Sequence, residues 1–361
     1  MTTKQPLIVS AIVLLICFTQ QANAKIWRVN NNANATNGSN LGGSPGFPVF
    51  EQLFGNATNS ANGNNLVKIG DTVHLEGSTN NYAGGDLTKK LTIIGPGFFL
   101  NENPNTSNNV LPAKLTYITF TTGSSGSQLI GVHVGGSSYG VSINVSDILV
   151  RRCKVDVDLS LYYGISDIRI LQNFFSRVST ATTITTSGYG FPTDVIFNNN
   201  IILGNLVLPV GYAMLECKNN VFAGPSISSS PSIRMYVGSF QNNLLKDPSA
   251  IVDINGGTNM NVTYNTGADA AQFGTTNNNL VIADMSTLFV AAGTSDGKYQ
   301  LKPGSANGSD GTERGAYGGA SVINRYTLSG LAPIPVIYDI STSGVADATG
   351  LPVIIKARII K

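Results

Sequence analysis

Three segments of the chain share one template. Ser146-Asp147-Ile148-Leu149-Val150-Arg151-Arg152-Cys153, Ser166-Asp167-Ile168-Arg169-Ile170-Leu171-Gln172-Asn173 and Thr193-Asp194-Val195-Ile196-Phe197-Asn198-Asn199-Asn200 each run from a turn-forming pair through alternating apolar residues to a closing position. Leu215 to Phe222 and the stretch ending Gln241-Asn242-Asn243-Leu244-Leu245 keep the apolar and Asn positions without the aspartate. The closing positions 153, 173, 200, 220 and 243 lie 20, 27, 20 and 23 residues apart, and Asn265 follows 22 residues after Asn243. The long step holds a loop from Ser187 to Pro192. A period in this range is that of a solenoid, whose units bury their apolar faces only by stacking on their neighbours.

The residues inside the unit say which solenoid. Ile148/Val150, Ile168/Ile170, Val195/Phe197 and Leu215/Cys217 alternate with outward positions at a period of two, and β-branched and aromatic residues dominate, so the units are strands. Strand and turn repeated at this spacing coil into a parallel β-helix. Asparagines stacked at the strand spacing of roughly 4.8 Å bond along the axis and satisfy turn groups that would otherwise be buried unpaired. Cys153 heads that ladder as a small substitute, whereas Cys217 takes an inward strand place three coils away, about 14 Å by the same spacing. A disulfide tolerates roughly 7 Å between Cα atoms, so both thiols are expected to be free and structural.

Composition narrows the function classes. Charged residues make up 12 % of the chain, against roughly 25 % in ordinary globular domains, and the 40 glycines with recurrent Asn favour turns over helices. The net charge is +2 and the 22 basic residues form no dense tract, which excludes a nucleic-acid footprint. His74 and His133 are the only histidines, leaving no multi-His metal site and little for Ser-His-Asp chemistry. No P-loop or dinucleotide fingerprint occurs. The first 24 residues place Lys4 before an apolar core from Leu7 to Phe18, then polar Thr19 to Gln21 and Ala22-Asn23-Ala24. That is the layout of a secretory signal with cleavage after Ala24, its apolar run of about 12 residues being short of the ~20 that span a bilayer. Ile16 stands where a lipobox needs a small residue before Cys17.

Several stretches outside the Asn repeat resemble the right-handed parallel β-helix proteins of the pectate-lyase-like superfamily. Trp27-Arg28-Val29-Asn30 looks like the first strand of such proteins, and Phe50-Glu51-Gln52-Leu53-Phe54 like the short helix that caps the open end. Gly70-Asp71-Thr72-Val73-His74-Leu75 is similar to the opening coil and Leu91-Thr92-Ile93-Ile94-Gly95 to the second. Tyr299 to Ser305 and Asp310 to Gly319 resemble the closing coil. The resemblance implies a β-helix with its N-terminal cap over 25–319. It implies no single activity, since the family holds lyases, hydrolases and adhesins. The paired-Asp and Gly-His-Gly patterns of its polygalacturonases are absent. Residues 320–361 read as a small C-terminal β appendage, with strand-like runs over Val336 to Ile340 and Pro352 to Ile360.

Asp147, Asp167 and Asp194 each stand six residues before the closing position and stack on successive coils. Three like charges about 4.8 Å apart call for a Ca²⁺ ion or for hydrogen-bond donors. The plainer reading is that Asp is favoured where a chain turns into a strand. Arg151, Lys154, Asp156, Asp158 and Arg169 should point outward, with Tyr162 and Tyr163 nearby to stack on sugar rings. Arg151, Lys154 and Arg169 are then the candidate catalytic groups of a lyase acting on an acidic polysaccharide, which needs a base and cations to stabilise an anion. Asp156, Asp158, Tyr162 and Tyr163 are candidate substrate contacts. Yet the neighbouring outward positions Leu149, Leu171, Phe174, Ile196, Ile201 and Val221 are apolar, as suits contact with loops or a partner more than a wet cleft. The sequence therefore favours an exported, non-catalytic scaffold that binds glycan or a cell-surface component, with the lyase as the alternative.

Overall fold

The computed structural model describes residues 24–359 apart from 33–38, 42–43, 48–66, 107–109, 137–139, 177–183, 188–190, 209–212, 225–232, 255–260, 292, 343, 345 and 347–349. The leader, but for Ala24, and the capping helix expected at Phe50 to Phe54 lie outside the described residues.

Short strands dominate, and they recur in a fixed order. Ile148–Arg151, Lys154–Val155 and Leu159–Tyr162 make one coil, and Ile168–Leu171, Phe174–Phe175 and Ile184–Ser187 the next. Each strand pairs in parallel with its counterpart one coil away: Ile148 with Ile168, Lys154 with Phe174, Leu159 with Ile184. Repetition builds three sheets of 14, nine and five strands among the described residues, called A, B and C in the order a coil visits them. The chain is thus all-β-dominated and solenoid-like, with long parallel sheets and, among the described residues, one four-residue α-helix, Ala270–Phe273. The alternation seen in the sequence has a direct cause. Ile148, Val150, Cys153, Val155, Leu159 and Leu161 of one coil all point into a continuous apolar interior and are buried.

Between sheets A and B the chain turns through one residue at positive φ, namely Arg152, Gln172, Asn199, Asn219, Asn242 and Tyr264 in successive coils. The ladder residue follows at once. Cys153, Asn173, Asn200, Asn220, Asn243 and Asn265 donate their backbone N–H, each to the side-chain Oδ1 of the next rung at 2.8–2.9 Å, ending on Asn279. A turn buried in a solenoid has no water to satisfy it, so the amides do.

One strand departs from the sequence reading. Leu215 was expected inward with Cys217, but it is 50 % exposed, and Met214 is buried in its place. An extra residue bulges the strand Ala213–Lys218 there, and the next strand, Ile233–Gln241, bulges in register at Gly238. A Cβ on Gly238 would lie 3.1 Å from the Leu215 carbonyl, so glycine fits the stacked bulge.

The segments expected to form a closing coil instead run back along the stack. Gly315 N–H donates to Asn242 O, Asn199 Nδ2 to the carbonyls of Ala316 and Gly318, Gln172 Nε2 to Ile323 O, Arg152 Nη1 to Leu331 O, and Phe98 N–H to Ser329 O. This strap therefore passes the turn column from late coils to early ones. With residues 285–301 it buries the outward column Phe174, Ile201, Val221 and Leu244 of sheet B under Met285, Phe289, Tyr299, Leu301 and Ala316. The outer apolar positions on sheet B are thus covered by the chain itself. Beyond the strap, Pro335–Thr342 and Val353–Ile359 form a separate antiparallel hairpin.

Candidate functional site

Where the strap skirts sheet A it leaves a groove of ≈ 410 Å³. Its floor comes from two outward columns set by the strand register, Arg169–Ile196–Glu216 and Leu171–Asn198–Lys218. Asp310, Gly319, Ser321 and Asn324 of the strap form its wall. Glu216 accepts from Asn198 Nδ2 at 2.9 Å and from Lys218 Nζ at 2.8 Å. Burial alone would raise the Glu216 carboxyl, but those two donors outweigh it and hold it below the usual carboxylate range. Asn198 Oδ1 in turn accepts the Lys218 N–H at 2.8 Å. The groove therefore offers a guanidinium, fixed amides and a carboxylate along a flat parallel sheet. A second crevice of ≈ 460 Å³ opens at the head of sheet A, between Ile94, Leu100 and Ile340, with the Arg28–Glu76 ion pair and His74 at its polar end. Burial lowers His74 most, the Arg28 charge adds to that, and Glu76 opposes it.

The three basic candidates stand on two faces, Arg151 and Arg169 on adjacent strands of sheet A and Lys154 on sheet B. Arg151 Nε donates to Gln172 Oε1 at 3.0 Å and its Nη2 to Ile323 O, so it holds the strap. Arg169 lies in the groove, half exposed and 3.5 Å from Asp147. Lys154 is on sheet B. Asp147, Asp167 and Asp194 all adopt positive φ, between 55° and 60°, at the turn into sheet A, a conformation that Asp tolerates better than most residues. Asp147 faces Arg169, and Asp167 accepts from Ser166 Oγ at 3.4 Å. Among the described residues no group of three His, Cys, Asp or Glu is placed to hold a metal ion. Tyr162 and Tyr163 are exposed, with ring centroids 4.3 Å apart, at the end of the sheet C strand Leu159–Tyr162. Asp158 lies in the turn before sheet C, its carbonyl accepting from Val141 N–H at 3.1 Å.

Sheet B gathers what the sequence reading left apart. Asp156 Oδ2 is 2.6 Å from His133 Nε2, and Asp156 Oδ1 accepts from Lys154 Nζ and Ser176 Oγ. Lys154 Nζ is also 3.1 Å from His133 Nε2 and 5.7 Å from the Phe99 ring centroid. Burial raises Asp156, but its contacts with His133, Lys154 and Ser176 outweigh this and hold the carboxyl well below its usual range. Burial lowers both His133 and Lys154, with Asp156 opposing. His133 pairs in register with Lys154, so extending the repeat one coil earlier, with Val132 at the ladder position, would have found it.

No family model, curated protein or solved structure matches the chain. Among the described residues no helix is long and apolar enough to cross a membrane.

Proposed function

We propose that this chain is an exported right-handed parallel β-helix of the pectate-lyase-like kind, acting as a non-catalytic scaffold that binds glycan along the outer face of sheet A. The observation that carries the reading is the groove beside the strap. A polysaccharide is a repeating polymer of hydroxyls. Three successive strands, roughly 4.8 Å apart, present Arg169, Asn198 and Glu216 outward across two neighbouring columns, each able to hold a hydroxyl. The groove volume, ≈ 410 Å³, falls in the range of small-ligand sites. The apparent leader supplies the route to a surface or the medium.

The lyase alternative draws on His133 and Lys154, whose lowered pKa values suit a general base. The other cations of that reading, Arg151 and Arg169, stand on sheet A, away from His133 and Lys154. Scaffold is the better reading. The test is retention of the protein in native gels cast with neutral or uronic polysaccharides. Wild type should be retarded by at least one of them. Arg169→Ala with Glu216→Gln should migrate as in the empty gel, and retardation unchanged in that double variant would overturn the site.

A further inference from the structure

Lys114, His133 and Lys154 occupy one outward column of sheet B, in register on three adjacent strands. Neighbouring side chains in such a column start roughly 4.8 Å apart. One carboxylate, Asp156, serves them, and it is already held by His133, Lys154 and Ser176. The His133 and Lys154 side chains are only 13 % and 12 % exposed, so water screens them poorly. The Lys114 side chain has no hydrogen-bond or ion-pair partner among the described residues. Positive charge at this spot therefore exceeds negative charge by at least one.

The backbone opens the place where an anion would fit. Gly135 and Gly136 follow the strand His133–Val134, and Gly136 turns at φ 109°. The point a Cβ would occupy on Gly136 lies 3.5 Å from Asn81 Nδ2 and 3.9 Å from Lys114 Nζ. An amide nitrogen and the Lys114 ammonium thus lie within contact distance of the side of Gly136 where its positive φ disfavours a side chain. We propose that Lys114, His133 and Asn81 form a binding site for a tetrahedral oxyanion, either free sulfate or a sulfate ester carried on a polysaccharide. It lies on a different sheet from the glycan groove and does not rest on that reading.

An anion bound here stabilises the imidazolium, so by linkage sulfate raises the His133 pKa and binds more tightly as pH falls. Every charged group facing His133 is counted in that sign: Lys114 and Lys154 oppose its protonation, Asp156 favours it, and burial opposes it most. The chain has two histidines, so each imidazole C–H can be followed by NMR. His133 should titrate about one pH unit higher in sulfate than in chloride at matched ionic strength, a roughly tenfold coupling. His74 should not move. Lys114→Gln should abolish the difference. Dextran sulfate added against neutral dextran assigns the source: a shift from the sulfated polymer indicates an ester ligand, and a shift from inorganic sulfate alone indicates the free ion. Superimposable His133 curves in sulfate and chloride would overturn the proposal. So would an equal shift at His74, or a shift that survives Lys114→Gln.

Discussion

Asn173 and Asn200 are 27 residues apart in the chain and joined by two hydrogen bonds, the backbone N–H and Nδ2 of Asn173 both donating to Asn200 Oδ1, at 2.9 and 3.1 Å. Asn265 and Asn279, only 14 residues apart, make the same pair of contacts at 2.8 and 3.3 Å. The rung geometry persists while the intervening chain varies twofold in length. Loops between other strands absorb the difference, as a solenoid permits.

Each rung also donates backwards, Asn220 Nδ2 reaching Phe197 O at 2.9 Å. Asn220→Ala would strand that carbonyl and the Asn200 N–H in a dry interior. A loss of about 3 kcal/mol follows from two buried unsatisfied groups, and urea unfolding should show it as a lower midpoint with unchanged slope.

Cys153 substitutes for a rung, its thiol 3.5 Å from the Leu129 carbonyl. Burial pushes that thiol up to about 12 and raises Cys217 as well. Both should ignore a thiol reagent at pH 8 in the native protein and react fully in denaturant. Prompt labelling without denaturant would contradict their burial.

Arg152 is wholly buried, with Nε on Gln172 Oε1 at 2.8 Å and Nη1 on Leu331 O at 3.0 Å. Arg152→Met keeps the bulk and removes the donors. Hydrogen exchange over 320–332 should then accelerate while the Asn ladder stays protected, at a cost of about 2–4 kcal/mol to the strap.

Asp156 is held below its usual range when folded. Its contribution to stability is therefore present above pH ~4, near the unfolded carboxyl value, and is lost as pH falls through the lower folded value. Asp156→Asn should be less stable at pH 6, yet lose less on acidification from pH 4 to 2. Melting temperatures across that range would show the two curves converging.

The parallel stacking was legible because a solenoid repeats its demands: the same apolar alternation and the same Asn recur wherever a coil meets the same turn. The aspartate positions were visible for the same reason, and their positive φ favours the local explanation for their recurrence. What escaped was everything without a repeat. The strap crosses many coils once, so Ile323 and Leu331 have no counterparts elsewhere to reveal their contacts with Arg151 and Arg152. Arg152 itself sits one place before the ladder, at the turn position where Asn recurs in later coils as Asn199, Asn219 and Asn242. Leu215 defeated the period-two reading because a bulge adds one residue and reverses the facing of what precedes it.

On the proposed function, the outer face of sheet A binds glycan without cleaving it. Purified protein incubated with a panel of uronic-acid polysaccharides, with and without Ca²⁺, reports both halves at once through ultraviolet absorbance of unsaturated products and through retention of protein on the polymer. Saturable retention with flat absorbance in both conditions is the predicted result. Rising absorbance that depends on Lys154 or Arg169 would contradict it.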